Sequence, residues 1–401
     1  MPNQKGGRVA LYPSRAVERA MKVQEVILRG ISKQISWIQA AEIIGVSPRT
    51  MRRWLRRYQQ HGYDGLFDRR LKRPSPKRVP WATVEKVLGL YRDKYWGWNV
   101  AHFVEKLQEE EGIGLSYSWV KKALQEAGLV AKQRRRGTHR RRRPRRPLRG
   151  MLLHLDGSKH AWLEGRGTQD LIVVMDDADS AVYYAQLVEE ESTATVMAAL
   201  KAVVEQQGRF CTLYTDRASH FATTRKAGGE PDREAPTQVA RALQRLEIDL
   251  ALAHSPQARG RCERLFGTWQ GRLPQELRLG GIRTLEEANR FLNQEWIPFH
   301  NRRFTVEPEQ EGTAFVPAQG ADLNQIFSRQ QTRVVGADNT VSYGRRRLQI
   351  APQKFRYSLA KCRVLVCEHL DQTLSLYYGP HLLGRYNPEG KRLQDSSRQA
   401  A

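Results

Sequence analysis

No run of about 18 apolar residues occurs in the 401-residue chain, so a membrane-spanning helix is not expected. The opening stretch, MPNQKGGRVALYPSR, has no apolar segment long enough for a secretory signal, so export is not expected either. Cysteine is sparse. Cys211, Cys262, Cys362 and Cys367 show no zinc-type pairing, and His369 finds no second pair to complete a site. They read as free thiols in a reducing cytoplasm. A basic amphipathic helix with a strongly apolar face, the mark of membrane-surface binding, is also missing. Acid is scarce in the first third: residues 1–149 hold 35 Lys/Arg against 12 Asp/Glu, whereas residues 150–401 hold 32 against 30. Nearly all of the net charge of +25 therefore precedes residue 150. A concentrated basic block beside folded neighbours points to a polyanion, nucleic acid foremost. With 40% hydrophobic residues at this length, two to four domains are expected.

Residues 14–62 read as three helices. Ser14 can cap the first, whose Val17, Met21 and Val26–Leu28 fall on an inward face. Trp37–Ile44 is a short second helix, and Gly45-Val46-Ser47 a tight turn. Ser47 and Pro48 then suit the N-cap and first position of a third helix reaching about His61. Ala41, Ile44, Val46, Met51, Trp54 and Leu55 have the spacing of a helix-turn-helix core. The opposite face of the third helix carries Arg49, Thr50, Arg52, Arg53, Arg56 and Arg57, suited to phosphates and base edges in a major groove. A solvated charged face is the plainer alternative. Residues 66–82 form a basic, Pro-rich linker. A second, less basic helix-turn-helix-like unit follows over 83–131, with Ser116 capping its last helix; it serves DNA binding or, failing that, packing. Residues 132–149 hold 11 Lys/Arg and no acid. That stretch, with Arg134, Arg135, Arg136, Arg140, Arg141, Arg142 and Arg143, reads as an extended tether that tracks a phosphate backbone.

From residue 150 the hydrophobic period changes. Strand-like runs appear at 151–155, around 160–163, 171–176 and 181–187. A helix capped by Ser192 follows, then strand 210–215, helix 236–246, strand 248–253 and a long helix 260–279. This order is that of an α/β domain of ribonuclease H type. GMLLHLD places Asp156 where an apolar run stops, FCTLYTD places Asp216 at the end of another, and ARGRCERLF sets Glu263 in the first turns of the last helix. Strand ends and helix starts converge on one edge of an α/β sheet. Three hard oxygen donors there suit two Mg²⁺ ions and in-line phosphodiester chemistry. Each acid also has a plain alternative: Asp156 and Asp216 as turn residues, Glu263 as a partner of Arg259 or Arg264. Asp176, Asp177 and Asp179 form a rival acidic cluster, read as a strand end and turn. His154, His220 and His254 are accessory candidates, and Arg261 and Arg264 a basic face beside Glu263.

HLDGS, YTDRASHF and SPQARGRCERLFGTWQGRL, followed by NRFLNQEWIPFHNRRF, resemble the core of transposases of the retroviral integrase superfamily, specifically a bacterial insertion-sequence group (ISNCY-like). The resemblance covers roughly residues 150–304. It implies a DDE triad at Asp156, Asp216 and Glu263, and Mg²⁺ as cofactor (two ions, with Mn²⁺ as substitute). It further implies cleavage at transposon ends with strand transfer into target DNA, by a homo-oligomer assembled on paired terminal inverted repeats in the bacterial cytoplasm, at the nucleoid. The 46 residues between Asp216 and Glu263 exceed the spacing of many relatives, and the excess falls in ATTRKAGGEPDREAPTQ, read as an inserted loop. A DNA-binding regulator with an inactive integrase-like domain is the alternative, and a nuclease without strand transfer a third reading. Beyond the core, 305–328 reads as a linker, 329–386 as a small β-barrel and 387–401 as a disordered tail. The expected architecture is thus multidomain: residues 1–65 and 83–131 all-α helix-turn-helix domains, 150–304 an α/β ribonuclease H-like integrase core, and a C-terminal barrel.

Overall fold

The computed structural model describes residues 14–68, 78–132, 143–222, 236–253 and 260–393. Its contacts divide the chain into two compact units, Met1–Glu85 and Lys86–Ala401. The first unit holds α1 (Ser14–Ile31), α2 (Trp37–Ile44), α3 (Pro48–His61) and a 3₁₀ turn at Gly62–Leu66. The caps do what their residue types allow. Ser36 and Gln39 form a capping box on α2, and Gly45 ends it in a left-handed conformation at φ 75°. Ser47 Oγ accepts from the Thr50 N–H, with Pro48 opening α3. Val23, Val26, Ile27, Ala40, Ala41 and Met51 make the core, with Ile44, Val46, Trp54 and Leu55 packed on it. Met21 and Leu28 of α1, expected inside, are exposed, whereas Val26 and Ile27 are buried as expected, joined by Ala20, Val23 and Gly30. A Cβ at Gly30 would stand 2.9 Å from the Trp37 ring, so the bare backbone is the surface on which α2 closes.

The second unit begins within α4 (Trp81–Asp93), followed by α5 (Val100–Glu109) and α6 (Tyr117–Glu126). Tyr95, Trp98, Phe103, Leu107, Val120 and Leu124 fill the core of this helical piece. Then come β1 (Leu152–His160), β2 (Gln169–Asp176), β3 (Val182–Val188), α7 (Thr193–Gln207), β4 (Thr212–Thr215), α8 (Gln238–Arg245), β5 (Asp249–Leu252), α9 (Gly260–Gln270) and α10 (Leu273–Leu279). The five strands form one sheet in the order β3-β2-β1-β4-β5. The β1–β2 and β2–β3 ladders are antiparallel, and β1–β4 and β4–β5 parallel. Alternation along β2 decides the layers. Ile172 and Val174 pack on one side with α7 and α8, whereas Leu171, Val173 and Met175 pack on the other with α9 and α10. This is the α/β order expected of the core.

Two expected elements are redrawn. The runs at 151–155 and 160–163 belong to one arrangement, β1 continuing to His160 and then turning at buried Trp162, whose indole N–H donates to Ser158 O (3.0 Å). The helix expected over 260–279 is two helices, because Pro274 in the first turn of α10 has no N–H to continue α9. After α11 (Leu285–Phe291), a π-helical turn at Leu292–Trp296 and α12 (Ile297–Phe304), the stretch expected as a linker is bound along the core. Val306 N donates to Asp179 O (3.0 Å), Ala314 N to Arg149 O (2.8 Å), and Arg209 and Val316 exchange backbone hydrogen bonds.

The α4–α6 piece is held to the core by charge. Arg272 forks onto Glu105 with 2.6 and 3.0 Å bonds, and Arg303 adds a third at 2.8 Å. Glu276 takes His102 (2.7 Å) and Lys106 (3.0 Å). These contacts give the piece a packing role.

After α13 (Leu323–Ile326), the strands β6 (Arg329–Val334), β7 (Thr340–Tyr343), β8 (Arg346–Gln349), β9 (Arg363–Glu368), β10 (Leu374–Tyr378) and β11 (His381–Tyr386) share one core of Val341, Leu348, Val364, Val366, Leu374, Leu376, Leu383 and Tyr386. They do not close into the expected barrel. Strands β11-β10-β9-β6 form a four-stranded sheet, and β7-β8 a separate hairpin. Past Val334 the pairing runs on by one residue, Val335 exchanging bonds with Cys362 O and Lys361 N, before Gly336 N donates to Thr340 O and turns the chain into β7. Nor does order stop at Asn387: Leu393 N returns to Arg385 O (2.8 Å), and residues 394–401 lie outside the described residues. No helix among the described residues is long and apolar enough to cross a membrane.

Candidate active site

Strands β1 and β4 run parallel with His154 opposite Tyr214, and Asp156 and Asp216 each stand two residues further along. The register therefore brings these two acids side by side. Both are partly exposed. Asp156 is not at a strand end, as the apolar run suggested. β1 continues past it, paired to β2 as far as His160 with Gln169. What stops at this level is β4, whose last residue is Thr215, so the edge of β1 that carries Asp156 opens here. Asp216 Oδ1 accepts from Ala218 N (2.9 Å), a turn that leads the chain away from the sheet. His220 in that turn meets Thr193 Oγ1 at 3.2 Å, which ties the loop to the first turn of α7.

Glu263 lies in the first turn of α9 and is exposed, while Cys262, Leu265, Phe266 and Trp269 face the core as their spacing predicts. α9 rests on β1, with Gln270 Nε2 donating to Ser158 Oγ (3.0 Å). Among the described residues no three His, Cys, Asp or Glu side chains are gathered closely enough to enclose a metal ion. Asp156 and Asp216 thus follow neighbouring positions of adjacent strands, and Glu263 opens the helix that rests on β1. Mg²⁺ takes one or two carboxylates and completes its octahedron with water and phosphate, so the juxtaposed pair fits it by donor chemistry. Glu191, which the sequence reading did not single out, lies on the face of β1 opposite Asp156. Any Cβ at Gly157 would collide with its Oε2, so its carboxylate lies over the residue next to Asp156.

The cluster Asp176, Asp177 and Asp179 is fully buried. Asp176 accepts from Gly150 N (2.8 Å), Ala178 N (2.8 Å) and Tyr183 OH (3.1 Å); burial raises its pKa. Asp179 takes Arg149 Nε at 2.6 Å. Asp177 gathers most. It pairs with Arg143 and with Arg261, accepts from Arg146 N (2.8 Å), and meets His154 Nε2 at 2.7 Å. Burial alone would raise the Asp177 pKa, but the His154 and Arg146 hydrogen bonds and the neighbouring positive charge outweigh it and hold it at about 2. His154 is lowered by burial, with Asp177 opposing the shift, so a neutral imidazole donating from Nε2 describes the pair.

On α3, Arg49, Arg52, Arg53, Arg56 and Arg57 are all exposed, whereas the Thr50 hydroxyl is 3.0 Å from Ser47 Oγ at the cap. Arg264 is exposed. Arg261, expected on the same basic face, is turned inward to Asp177 and Arg143 O instead. Arg143 lies over the Tyr214 ring at 5.7 Å. Arg134, Arg135, Arg136, Arg140, Arg141 and Arg142 fall outside the described residues, as do His254, Arg259 and most of the loop 222–238. The signal that would have exposed Asp177 is charge order: two adjacent acids ending an apolar strand, with an arginine block just before the neighbouring strand.

Two family models match. A homeodomain-like domain covers residues 50–124 and a helix-turn-helix domain residues 24–75. Transposase y4bF of Sinorhizobium fredii is 30% identical over 371 residues, 91% of this chain and 80% of that protein. The transposase for insertion sequence IS1202 of Streptococcus pneumoniae is 28% identical over 368 residues, 83% of this chain and 78% of that protein. Among solved structures, the simian T-cell lymphotropic virus intasome in complex with PP2A regulatory subunit B56 gamma covers 73% of this chain and 99% of its own at 13% identity and TM-score 0.34. The HTLV-2 integrase catalytic core domain in complex with magnesium covers 37% and 89% at 16% identity and TM-score 0.27.

Proposed function

This chain belongs to the insertion-sequence transposase family, and from that premise we propose that it cuts DNA at the ends of its mobile element and joins the freed 3′ ends to target DNA. The observation that supports the reading is the register of β1 and β4, in which Asp156 and Asp216 each follow the His154–Tyr214 pair by two residues. Asp156, Asp216 and Glu263 are the residues that would hold two divalent ions, Mg²⁺ or in its place Mn²⁺. When bound, such ions polarise the phosphate and supply a reactive oxygen nucleophile at neutral pH. The protein's own work is positional. Asp156 and Asp216 would offer their carboxylate oxygens to the ions, and the His220–Thr193 contact fixes the loop that leaves Asp216. Glu263 would supply the third carboxylate, from the first turn of α9. Arg264 and the tether arginines contact phosphate, and Arg49, Arg52, Arg53 and Arg56 of α3 read the terminal inverted repeat. We assign 1–65 to end recognition, 66–82 and 132–149 to backbone tracking, 83–131 to support of the core, 150–304 to catalysis, with 305–328 as its strap, 329–386 to DNA or subunit contact and 387–401 to a tail. The working form is a homo-oligomer on paired ends in the bacterial cytoplasm, associated with the nucleoid.

A labelled duplex carrying the inverted repeat separates this from the regulator reading. The enzyme cuts the end and joins it in Mg²⁺, and Asp216→Asn binds the same duplex without cutting. Binding without any cleavage by the wild type makes it a regulator; cleavage without joining makes it a nuclease.

A further inference from the structure

We propose that Asp177 is the positioning residue of this site, and that through it the end of the basic tether is built into the floor beneath the three carboxylates. The inference rests on the assignment of Asp156, Asp216 and Glu263 and adds what sets their places. Each of the three acids is preceded, two residues earlier, by a side chain that reaches the same spot. His154, before Asp156, meets Asp177 Oδ1 at 2.7 Å. Tyr214, before Asp216, lies edge-on to the His154 ring at 5.3 Å and beneath the Arg143 guanidinium at 5.7 Å. Arg261, before Glu263, pairs with Asp177 and donates from Nη2 to Arg143 O (2.9 Å). Residues two apart on a strand point to one face, so His154 stands next to Asp156 along the same face. On a helix the same spacing turns by about 200°, so Arg261 anchors the inner side of the first turn of α9 while Glu263 faces out.

Asp177 is fully buried, and a buried carboxylate is tolerated only where charge and donors answer it. Here the answer comes from three places at once: β1 through His154, α9 through Arg261, and the tether through Arg143, the Arg146 N–H and Arg145 Nη1 on the Asp177 carbonyl (2.8 Å). Arg143 and Arg261 converge on the same carboxylate oxygen. The helix that brings Glu263 is therefore fastened to the strand that brings Asp156 by one shared acid, and the fastening includes the last arginines of the tether. A staple that only held the tether down would not need the residue before each of the three acids.

The test uses the full chain and Asp177→Asn, which keeps the shape and removes the charge. The readouts are circular dichroism, binding to the end duplex, Tb³⁺ luminescence or Mn²⁺ paramagnetic resonance as a direct measure of metal binding, and the Mg²⁺ concentration giving half-maximal end cleavage. The expected result is a folded protein that binds the duplex as wild type does, with Mn²⁺ affinity about tenfold weaker and the half-maximal Mg²⁺ concentration raised about as much. Should Asp177→Asn fail to fold, Arg261→Gln and Tyr214→Leu replace it with the same readouts and the same expected weakening; Arg261→Lys, which keeps the charge without the fork, falls between. A lowered melting temperature with unchanged metal affinity in these variants overturns the proposal and leaves Asp177 a staple. A wild type that neither binds metal nor cuts overturns the active-site reading itself, a different failure.

Discussion

Replacing Arg272 by Met should loosen the α4–α6 piece from the core, and the structure bounds how much. Arg272 is nearly buried and meets both oxygens of Glu105, itself largely covered. Removing one member of such a pair leaves an uncompensated carboxylate and costs about 3–5 kcal/mol. Arg303 remains on Glu105, but its side chain is 42% exposed and recovers only a small part. We expect a loss of about 3 kcal/mol, seen by scanning calorimetry as a fall in Tm of roughly 4–5 °C for a unit of this size. The double substitution Glu105→Leu/Arg272→Met should cost far less than the sum of the single changes, because no charge is left buried. A single-variant loss below about 1 kcal/mol, or a double variant as costly as the sum, would refute the argument that this pair locks the piece in place.

Acid should weaken the core through His300, whose Nδ1 accepts from the Trp269 indole (2.9 Å) and whose pKa burial lowers from 6.5 to about 4. The unfolded chain binds the extra proton first, so stability is full above pH 6.5 and falls as pH drops toward 4. The loss is at most about 3 kcal/mol, and urea midpoints across that window should show it shrinking in His300→Asn. His154 is shifted the same way and adds to the slope. Ser47→Ala removes the acceptor of the Thr50 N–H and should cost the first unit about 1 kcal/mol by calorimetry, with α3 fraying from its N-terminus; an unchanged melt would mean that the cap is idle. The pair Arg52→Ala/Arg53→Ala should weaken end binding and flatten its salt dependence, while cleavage of generic DNA persists. An unaltered salt slope would remove α3 from the interface.

Local rules carried the reading a long way. Ser47-Pro48 and Ser116 opened helices, and Cys262, Leu265, Phe266 and Trp269 fell on the buried side of α9 because 3.6-residue spacing needs no knowledge of the partner. What local rules could not reach was decided across the sheet. A turn role was the plain alternative for Asp156, yet Gly157 and Ser158 pair with Ile172 and Leu171 of β2 and keep the strand going, and a Cβ at Gly157 would meet Glu191. Asp177 read as a turn residue because its partners are 34, 23 and 84 residues away. Arg261 and Arg264, three apart and chemically alike, divide between an internal pair and the surface on that account. The last strands gave the right alternation but no closure, since alternation reports which face is buried and not which edges meet.

The central claim is that Asp156, Asp216 and Glu263 act together on the DNA ends. The most direct measurement is single-turnover end cleavage and joining by the full chain, with binding followed on the same duplex, for wild type, Asp156→Ala, Asp216→Asn and Glu263→Ala. All four should bind the end, and only the wild type should cut and join it in Mg²⁺. Full activity in any one of the three variants would contradict the assignment.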